Sequence, residues 1–166
     1  MPRYDSNSGC CVGVIADTHG LLRSEAVDLL KGVDHIIHAG DIGTPDILLA
    51  LRELAPVTAV RGNNDQGAWA KDLLEIEVLE VQGRLLYVLH DLKELDVDPL
   101  STGISAVIAG HSHKPKVEEK GGVMYLNPGS AGPRRFDLPT TIAKLYVSRA
   151  GLRAEIIPLP QRRSGS

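Results

Sequence analysis

The first 60 residues alternate short apolar segments with segments of helical periodicity. Apolar, β-branched segments occur at 11–16, 35–39 and 57–60. Between them lie two helix signals, the candidate N-cap residues Ser24 and Thr44, the second of which is followed by proline and aspartate. The apolar residues after each cap recur at helical spacing. Strands that alternate with helices in this way predict parallel βαβ units.

The second half of the chain has a different pattern. Residues 74–81 alternate apolar and charged side chains, as a half-exposed strand does, and a Gln-Gly turn leads into the apolar segment 84–89. Further strand signals occur at 106–109, 121–126, 141–147 and 152–157. The sum predicts an α/β domain over residues 10–160, with mixed sheets whose outer faces are covered by helices. Residues 1–9 and 161–166 read as flexible tails.

Composition narrows the class of protein. Aromatic residues make up only 4% of the chain, so an aliphatic core is expected, and the net charge of −3 carries no general signal for nucleic acid or membrane. Basic residues concentrate after residue 110, which fits either a solvated surface or contact with an anionic substrate. Cys10 and Cys11 are expected to be reduced thiols, and we expect a cytoplasmic protein.

Five predicted strands end in, or lead directly into, a residue type that binds metal ions. These residues are Asp17, Asp41, Asn63, His90 and His111. Two of the strand ends carry a second candidate two positions on, His19 after Asp17 and His113 after His111. Because sites in open α/β sheets form at the carboxyl ends of strands, these side chains are expected to converge on one pocket.

The seven candidates combine imidazole nitrogens with carboxylate and amide oxygens. Mixed nitrogen and oxygen ligands suit Mn, Fe, Zn, Ni or Co better than Ca or Mg. A closed structural zinc site would need only four ligands and would favour cysteine. Seven candidates without a cysteine instead fit two ions that share a bridging carboxylate, an arrangement that activates water and clamps a phosphoryl group.

These residues, in this order, resemble the motifs of the calcineurin-like metallophosphoesterases. The matching motifs are Asp17-x-His19, Gly40-Asp41, Gly62-Asn63-x-Asp65, His90 and Gly110-His111-x-His113. The sequence Asn-Pro-Gly-Ser at 127–130 resembles a motif of one branch of this family. That branch contains small bacterial and archaeal phosphodiesterases, and Vps29 is related to it. The resemblance extends from about residue 11 to residue 159 and implies a four-layer α/β/β/α sandwich with two mixed β-sheets.

The resemblance also implies roles for individual residues. One ion would be held by Asp17, His19 and His113, and the other by Asn63, His90 and His111. Asp41 would bridge them, and a hydroxide between the ions would attack phosphorus in line. Mn is the first expectation for both ions, with Ni, Fe, Co or Zn as alternatives. Asp41, Asn63 and Asp65 are the candidate catalytic residues, although Asp65 could equally orient its loop.

Residues around the predicted centre are candidates for substrate binding. They are Asn64, Ser130, Arg134 and Arg135, each of which could instead belong to an ordinary polar loop. His38, close to Asp41, could support a ligand or simply belong to the core.

The chain departs from the family pattern at two positions. Larger family members often have a histidine at position 64 that protonates the leaving group, and the small branch often has cysteine there, whereas this chain has Asn64. An amide supplies no proton, so good leaving groups are expected. Where the small branch often has glycine after its histidine ligand, this chain has Asp91, for which the sequence offers no strong interpretation.

Two functions remain open at this stage. The first is a metal-dependent phosphodiesterase, with phosphomonoesterase activity as a variant, acting on a small phosphoester. The second is a non-catalytic protein-binding module, like Vps29, that retains metal ligands. Neither a membrane nor a stable nucleic-acid complex is expected, and a homo-oligomer stays open.

Overall fold

A computed structural model describes residues 9–134 and 137–160. This part of the chain contains ten strands and two α-helices. The strands are β1 (Cys10–Ile15), β2 (His35–His38), β3 (Val57–Ala59), β4 (Ile76–Val81), β5 (Arg84–Leu89), β6 (Ile104–Ile108), β7 (Lys116–Lys120), β8 (Val123–Asn127), β9 (Thr141–Val147) and β10 (Leu152–Pro158). The helices are α1 (Ser24–Leu30) and α2 (Pro45–Arg52), and short 3₁₀ turns occupy Ala68–Asp72 and Leu92–Glu94.

The strands form two mixed five-stranded sheets. Sheet A has the order β10-β9-β1-β2-β3, with β1, β2 and β3 parallel and β9 antiparallel to both of its neighbours. Sheet B has the order β4-β5-β6-β8-β7, with β5, β6 and β8 parallel and antiparallel strands at both edges. The expected pair of mixed sheets is therefore confirmed.

The core lies mainly between the two sheets. Fully buried aliphatic side chains such as Val14 and Ile37 of sheet A pack with Val88 and Ile108 of sheet B. A second buried cluster joins the outer face of sheet A to α1 and α2 through residues that include Leu30 and Leu51. Burying a side chain of this size contributes roughly 1.5–3 kcal/mol, so this aliphatic core fixes how the sheet ends are aligned.

The outer face of sheet B is covered more thinly than expected. Its buried cluster includes Tyr87 and Val107, packed against Leu95 and Val97 of the segment after β5. In the described residues, that segment contains one 3₁₀ turn, Leu92–Glu94, in place of an α-helix. The fourth layer of the sandwich is thus a loop segment, a difference that bears on the site.

Helix starts and one strand differ in detail from the expectation. Ser24 is the first residue of α1 and Arg23 holds the N-cap position, so Ser24 is not the cap. Thr44 is at the N-cap of α2 as expected, with Pro45 following, but its side chain makes no capping hydrogen bond. The edge strand β7 was not predicted, because charged residues occupy four of its five positions. No helix in the described ranges is both long and apolar enough to cross a membrane.

Candidate metal centre

The loops that follow five parallel strands meet at one end of the two sheets. Contacts between the sheets fix this meeting point. The backbone N–H of His111, after β6, donates to Asp17 Oδ2, after β1, at 3.1 Å. The ring of His90, after β5, lies with Nδ1 at 2.8 Å from the carbonyl oxygen of Ala39. Candidate ligands from sheet A and sheet B therefore share a single site, as expected from the strand ends.

Two groups of possible ligand atoms form within this site. Asp17, His19 and His113 offer one atom each, all within 4.8 Å of one another, and Asp41, His90 and His111 do the same. In the first group, Asp17 Oδ1 lies 3.6 Å from His113 Nε2 and 3.9 Å from His19 Nε2. The first group consists of the three residues that the sequence predicted for one ion. The second contains His90 and His111, predicted for the other ion, and the predicted bridge Asp41, but not Asn63, whose place as a ligand stays a prediction.

Asp41 lies between the two groups. Its Oδ2 atom is 3.2 Å from His90 Nε2 in its own group and 3.7 Å from His19 Nε2 in the other. His90 Nε2 is in turn 3.3 Å from His111 Nδ1. One carboxylate oxygen thus faces histidines of both groups, which is the position that a bridging ligand requires.

The spacing of these atoms fits a shared ion. Two ligand atoms that are each ~2.1 Å from one ion lie about 3.0–3.4 Å apart at right or tetrahedral angles. The distances of 3.2 to 3.9 Å found here are equal to this spacing or a few tenths of an ångström above it. Because His90 Nδ1–H donates to the carbonyl of Ala39, Nε2 is the ring nitrogen left to bind an ion beside Asp41, as in metal-binding histidines.

The backbone is strained at the candidate ligands. Outside glycine, positive φ angles within the described residues occur at Asp17 (57°), His19 (46°), Asp41 (56°), His111 (71°), His113 (63°) and, in a hairpin turn, Gln82 (53°). Each such residue costs on the order of 1 kcal/mol and persists only where the surroundings enforce it. Five of the six belong to the two ligand groups, which is the distribution typical of a functional site.

Glycines allow the ligand loops to approach each other closely. A Cβ on Gly62 would lie 2.2 Å from the backbone nitrogen of Asp41, and one on Gly40 would lie 2.6 Å from His90 Nδ1. Only a residue without a side chain fits at either position. The glycines that precede Asp41 and Asn63 in the motifs therefore have a steric cause.

The electrostatics of the site follow from the close packing of its carboxylates and histidines. Burial opposes ionisation of Asp41, but hydrogen bonds from His90 and Asn64 hold the pKa of its carboxyl below the usual range. Burial also acts against the charged form of His90, yet Asp41 and the carbonyl of Ala39 raise the pKa of its ring. Asp41 is therefore ionised at neutral pH, as a carboxylate that binds a metal cation must be.

His38 supports the ligand loops from behind. It is fully buried, and its Nδ1 accepts the N–H of Gly40 at 3.1 Å. Its Nε2 must then carry the proton, which it donates to Thr18 Oγ1 at 3.0 Å, and that hydroxyl donates to the carbonyl of Ile42 at 2.7 Å. Burial lowers the pKa of His38 to about 3, so the ring is neutral. Sequence reasoning raised a supporting role for His38 but missed Thr18.

The loop after β3 has a different role at each residue. Asn63 is exposed. Asn64 faces Asp41 and hydrogen-bonds to it, rather than standing alone toward substrate. Asp65 is buried, and its two oxygens accept the N–H groups of Gly43 (3.0 Å) and Gly62 (2.8 Å). These contacts make Asp65 an organiser of the loops, and they give no support to the catalytic role considered for it.

The predicted substrate-binding residues are placed unequally. Ser130 is buried, and its hydroxyl donates to the carbonyl of Asp17 at 3.2 Å, so it supports the site from below. Arg134 is exposed, and Arg135 lies outside the described residues. Asp91, which the sequence left without interpretation, has Oδ2 at 3.7 Å from His111 Nε2. Substrate contacts by the two arginines stay predictions.

Comparison with known proteins agrees with this site. Residues 11–150 match the model of the calcineurin-like phosphoesterase superfamily domain. The chain is 38% identical over 158 residues to a probable metallophosphoesterase of Methanothermobacter thermautotrophicus, which covers 88% of this chain and 91% of that protein. The chain belongs to the calcineurin-like phosphoesterase superfamily.

Solved structures show the same fold. An archaeal phosphodiesterase superposes with a TM-score of 0.73 at 24% identity, over 89% of this chain and 99% of that one. Wild-type Vps29 of Entamoeba histolytica, complexed with Zn²⁺, superposes with a TM-score of 0.68 at 23% identity, over 89% of this chain and 98% of its own. The fold is therefore common to a phosphodiesterase and to Vps29.

Proposed function

We propose that the protein is a dimetal-dependent phosphoesterase, acting chiefly as a phosphodiesterase on small phosphoesters with good leaving groups. The observation that carries this proposal is the position of Asp41 Oδ2, which faces histidines of both ligand groups. A single structural ion would need neither two groups nor a carboxylate between them. A two-ion phosphoesterase needs both.

Each residue then has a task in holding the two ions. Asp17, His19 and His113 would hold one, and His90 and His111, with Asn63 from the neighbouring loop, would hold the other. Asp41 would contact both. When bound, such ions supply Lewis-acid activation of water and neutralise phosphate oxygens. Mn is our first choice, and Ni, Fe, Co or Zn would suit the same nitrogen and oxygen atoms.

The chain supplies orientation rather than proton transfer at this centre. Asn64 fixes the Asp41 carboxylate through both of its oxygens, and Asp65 ties the loop after β3 to the loop after β2. Neither residue is arranged as a general acid. The departing alcohol must therefore be stabilised by its own acidity or by bulk water.

Hydrolysis should be measured in one matrix of metals and substrates. The metal-free protein is loaded with Mn, Ni, Co, Zn or Fe and assayed on an aryl phosphomonoester, an aryl phosphodiester and a cyclic nucleotide. We expect the aryl diester to be cleaved fastest with at least one metal, at a stoichiometry of two ions per chain. Saturation at one ion per chain with full activity would contradict the dimetal centre.

The alternative is a Vps29-like protein-binding module that retains metal ligands. It is favoured by the close structural likeness to Vps29, at 23% identity in the zinc complex, which concerns the fold alone. Metal binding at two ions per chain without hydrolysis in any combination would support this alternative. We further infer a cytoplasmic location, since the free thiols of Cys10 and Cys11 suit a reducing compartment.

A further inference from the structure

A groove leads away from the candidate metal centre along the outer face of sheet B. Its volume is about 750 Å³, within the range of small-molecule sites. His111 and Asn127 line it where it meets the metal centre, and Val107, Ala109 and the ring of Tyr125 line it farther along the sheet. The groove is therefore continuous with the place where a phosphoester would react.

The groove exists because of the thin outer layer over sheet B. Leu92, from the one 3₁₀ turn of that layer, lines one side, and β7 lines the other. In the pairing of β7 with β8, Lys116 lies opposite Asn127 and Glu118 opposite Tyr125. Because side chains on one face alternate along a strand, Lys120 shares this face with Lys116 and Glu118.

The lining of the groove carries an excess of positive charge. Four lysines contribute to it, against the two acids Asp91 and Glu118; the lysines are Lys93, Lys114, Lys116 and Lys120. Glu118 Oε2 lies 2.7 Å from Lys116 Nζ, and Glu118 Oε1 lies 3.6 Å from Lys120 Nζ, so this acid is already engaged.

Two of the lysines remain available to a ligand. Lys93 and Lys114 are exposed, and neither has a carboxylate partner among residues 9–134 and 137–160. The whole chain has a net charge of −3, so this local excess of lysine is not a general property of the surface. A groove with apolar lining and unneutralised lysines complements an anion that also carries an apolar body.

We propose that the groove binds the ester arm of the substrate, and that this arm combines an apolar ring with a second phosphate group. The inference rests on the proposed phosphodiesterase function and assigns its substrate class. The scissile phosphate would lie at the ligand groups, next to His111, and the ring would pack against Leu92 and Tyr125, the apolar lining residues that are not buried. The second phosphate would meet Lys93 and Lys114. Lys116 to Lys120 span about 13 Å of strand, which is ample for one nucleotide-sized arm.

The experiment compares two substrates that differ only in the second phosphate. They are the p-nitrophenyl ester of thymidine 5′-phosphate and the same compound with an added 3′-phosphate. The wild-type, metal-loaded protein should show a KM about fivefold lower for the compound with the 3′-phosphate, at similar kcat, since each lysine–phosphate contact contributes about as much as an exposed ion pair. The double variant Lys93→Gln/Lys114→Gln should lose this difference in KM.

A matched control and a binding measurement separate the possible results. Lys31→Gln removes an exposed lysine that pairs with Asp28 on α1, and it should retain the wild-type ratio of KM values. Calorimetric titration of the metal-free protein with thymidine 3′,5′-bisphosphate should show binding that the double variant weakens about fivefold.

These experiments distinguish a wrong assignment of the groove from a wrong assignment of the phosphodiesterase function. Equal KM values for both substrates in the wild type, or a ratio that the double variant retains, would overturn the groove assignment while hydrolysis continued. Absence of hydrolysis with every metal would overturn the phosphodiesterase function. In that case the titration alone decides whether the groove binds a bisphosphate.

Discussion

Asn64 donates two hydrogen bonds to Asp41, one from its backbone N–H to Oδ1 and one from its side-chain amide to Oδ2, each of 2.9 Å. Asn64 occupies the position at which many family members have a proton donor. Here its two donors instead hold the carboxylate of Asp41 between the two ligand groups. Hydrogen bonds to an ionised carboxylate are worth roughly 1.5–3 kcal/mol each, so the orientation of Asp41 is strongly restrained.

Turnover should depend steeply on the acidity of the leaving group, because the Asn64 amide has no proton to give. We expect aryl phosphodiesters to be cleaved at least about 100-fold faster than alkyl ones, the lower end of what general acid catalysis contributes. A series of substituted phenyl and alkyl esters measures this slope. The variant Asn64→His should flatten it, and a flat slope in the wild type would mean that another group donates the proton.

Replacement of Asp41 by asparagine should weaken the binding of both ions. The substitution removes the negative charge from the oxygen that faces both ligand groups. Affinity should fall by more than the 10–100-fold typical of groups that lie behind the ligands, and hydrolysis should be lost. Metal analysis and calorimetry check this against Asp46→Asn, an exposed acid at the start of α2. Two bound ions with near-normal turnover would refute the bridging role.

His38 should make the metal-free protein sensitive to acid. Its folded-state pKa of about 3 lies below the ordinary 6.5, so its contribution to stability is present above pH 6.5 and is lost as the pH falls toward 3. The slope for one such group is about 1.4 kcal/mol per pH unit. Urea unfolding between about pH 4 and pH 7 should therefore show a weaker pH dependence for His38→Gln than for the wild type. Equal slopes would show that His38 is protonated in the folded protein.

Gly62→Ala should disrupt the site by steric clash alone. Its added Cβ would lie 2.2 Å from the backbone nitrogen and from Oδ1 of Asp41, whereas Gly151 has no atom within 4 Å of such a Cβ. Overpacking of this kind costs roughly 1–3 kcal/mol, and displacement of Asp41 should also weaken metal binding. Gly151→Ala is the matched control and should change stability by less than about 0.5 kcal/mol. Equal melting temperatures and metal affinities for the two variants would contradict this account.

The strand ends were predictable, and so was the convergence of the polar side chains that follow them, because the carboxyl ends of parallel strands lie at one edge of a sheet. Asp17, Asp41 and His90 illustrate this. The contact of Asn64 with Asp41 was not predictable, because two loops separated by a strand and a helix meet only in three dimensions. For the same reason, the chain of hydrogen bonds from His38 through Thr18 to Ile42 could not be predicted from the sequence.

The limits on the fold prediction have other causes. Strand β7 is at a sheet edge with charged residues on both faces, so it lacks the apolar alternation by which strands are recognised. The helix expected over sheet B came from the general α/β pattern and from the family resemblance, and no helix signal in residues 91–103 supported it. Residues 91–103 contain Pro99, Gly103 and several charged side chains, a composition that favours turns over a helix.

The positive φ angles at the ligands set stability and activity in opposition. His111 has φ of 71° and is exposed, so glycine in its place would relieve about 1 kcal/mol or more of backbone strain. The ring contacts with His90 and Asp91 would be lost, but ion pairs and hydrogen bonds of an exposed side chain contribute little. The greater conformational entropy of glycine in the unfolded chain would offset this gain in stability by about 0.4–1 kcal/mol. A search for thermostable variants of the metal-free protein would therefore tend to erase this ligand, and any programme to stabilise the protein should select in the presence of metal.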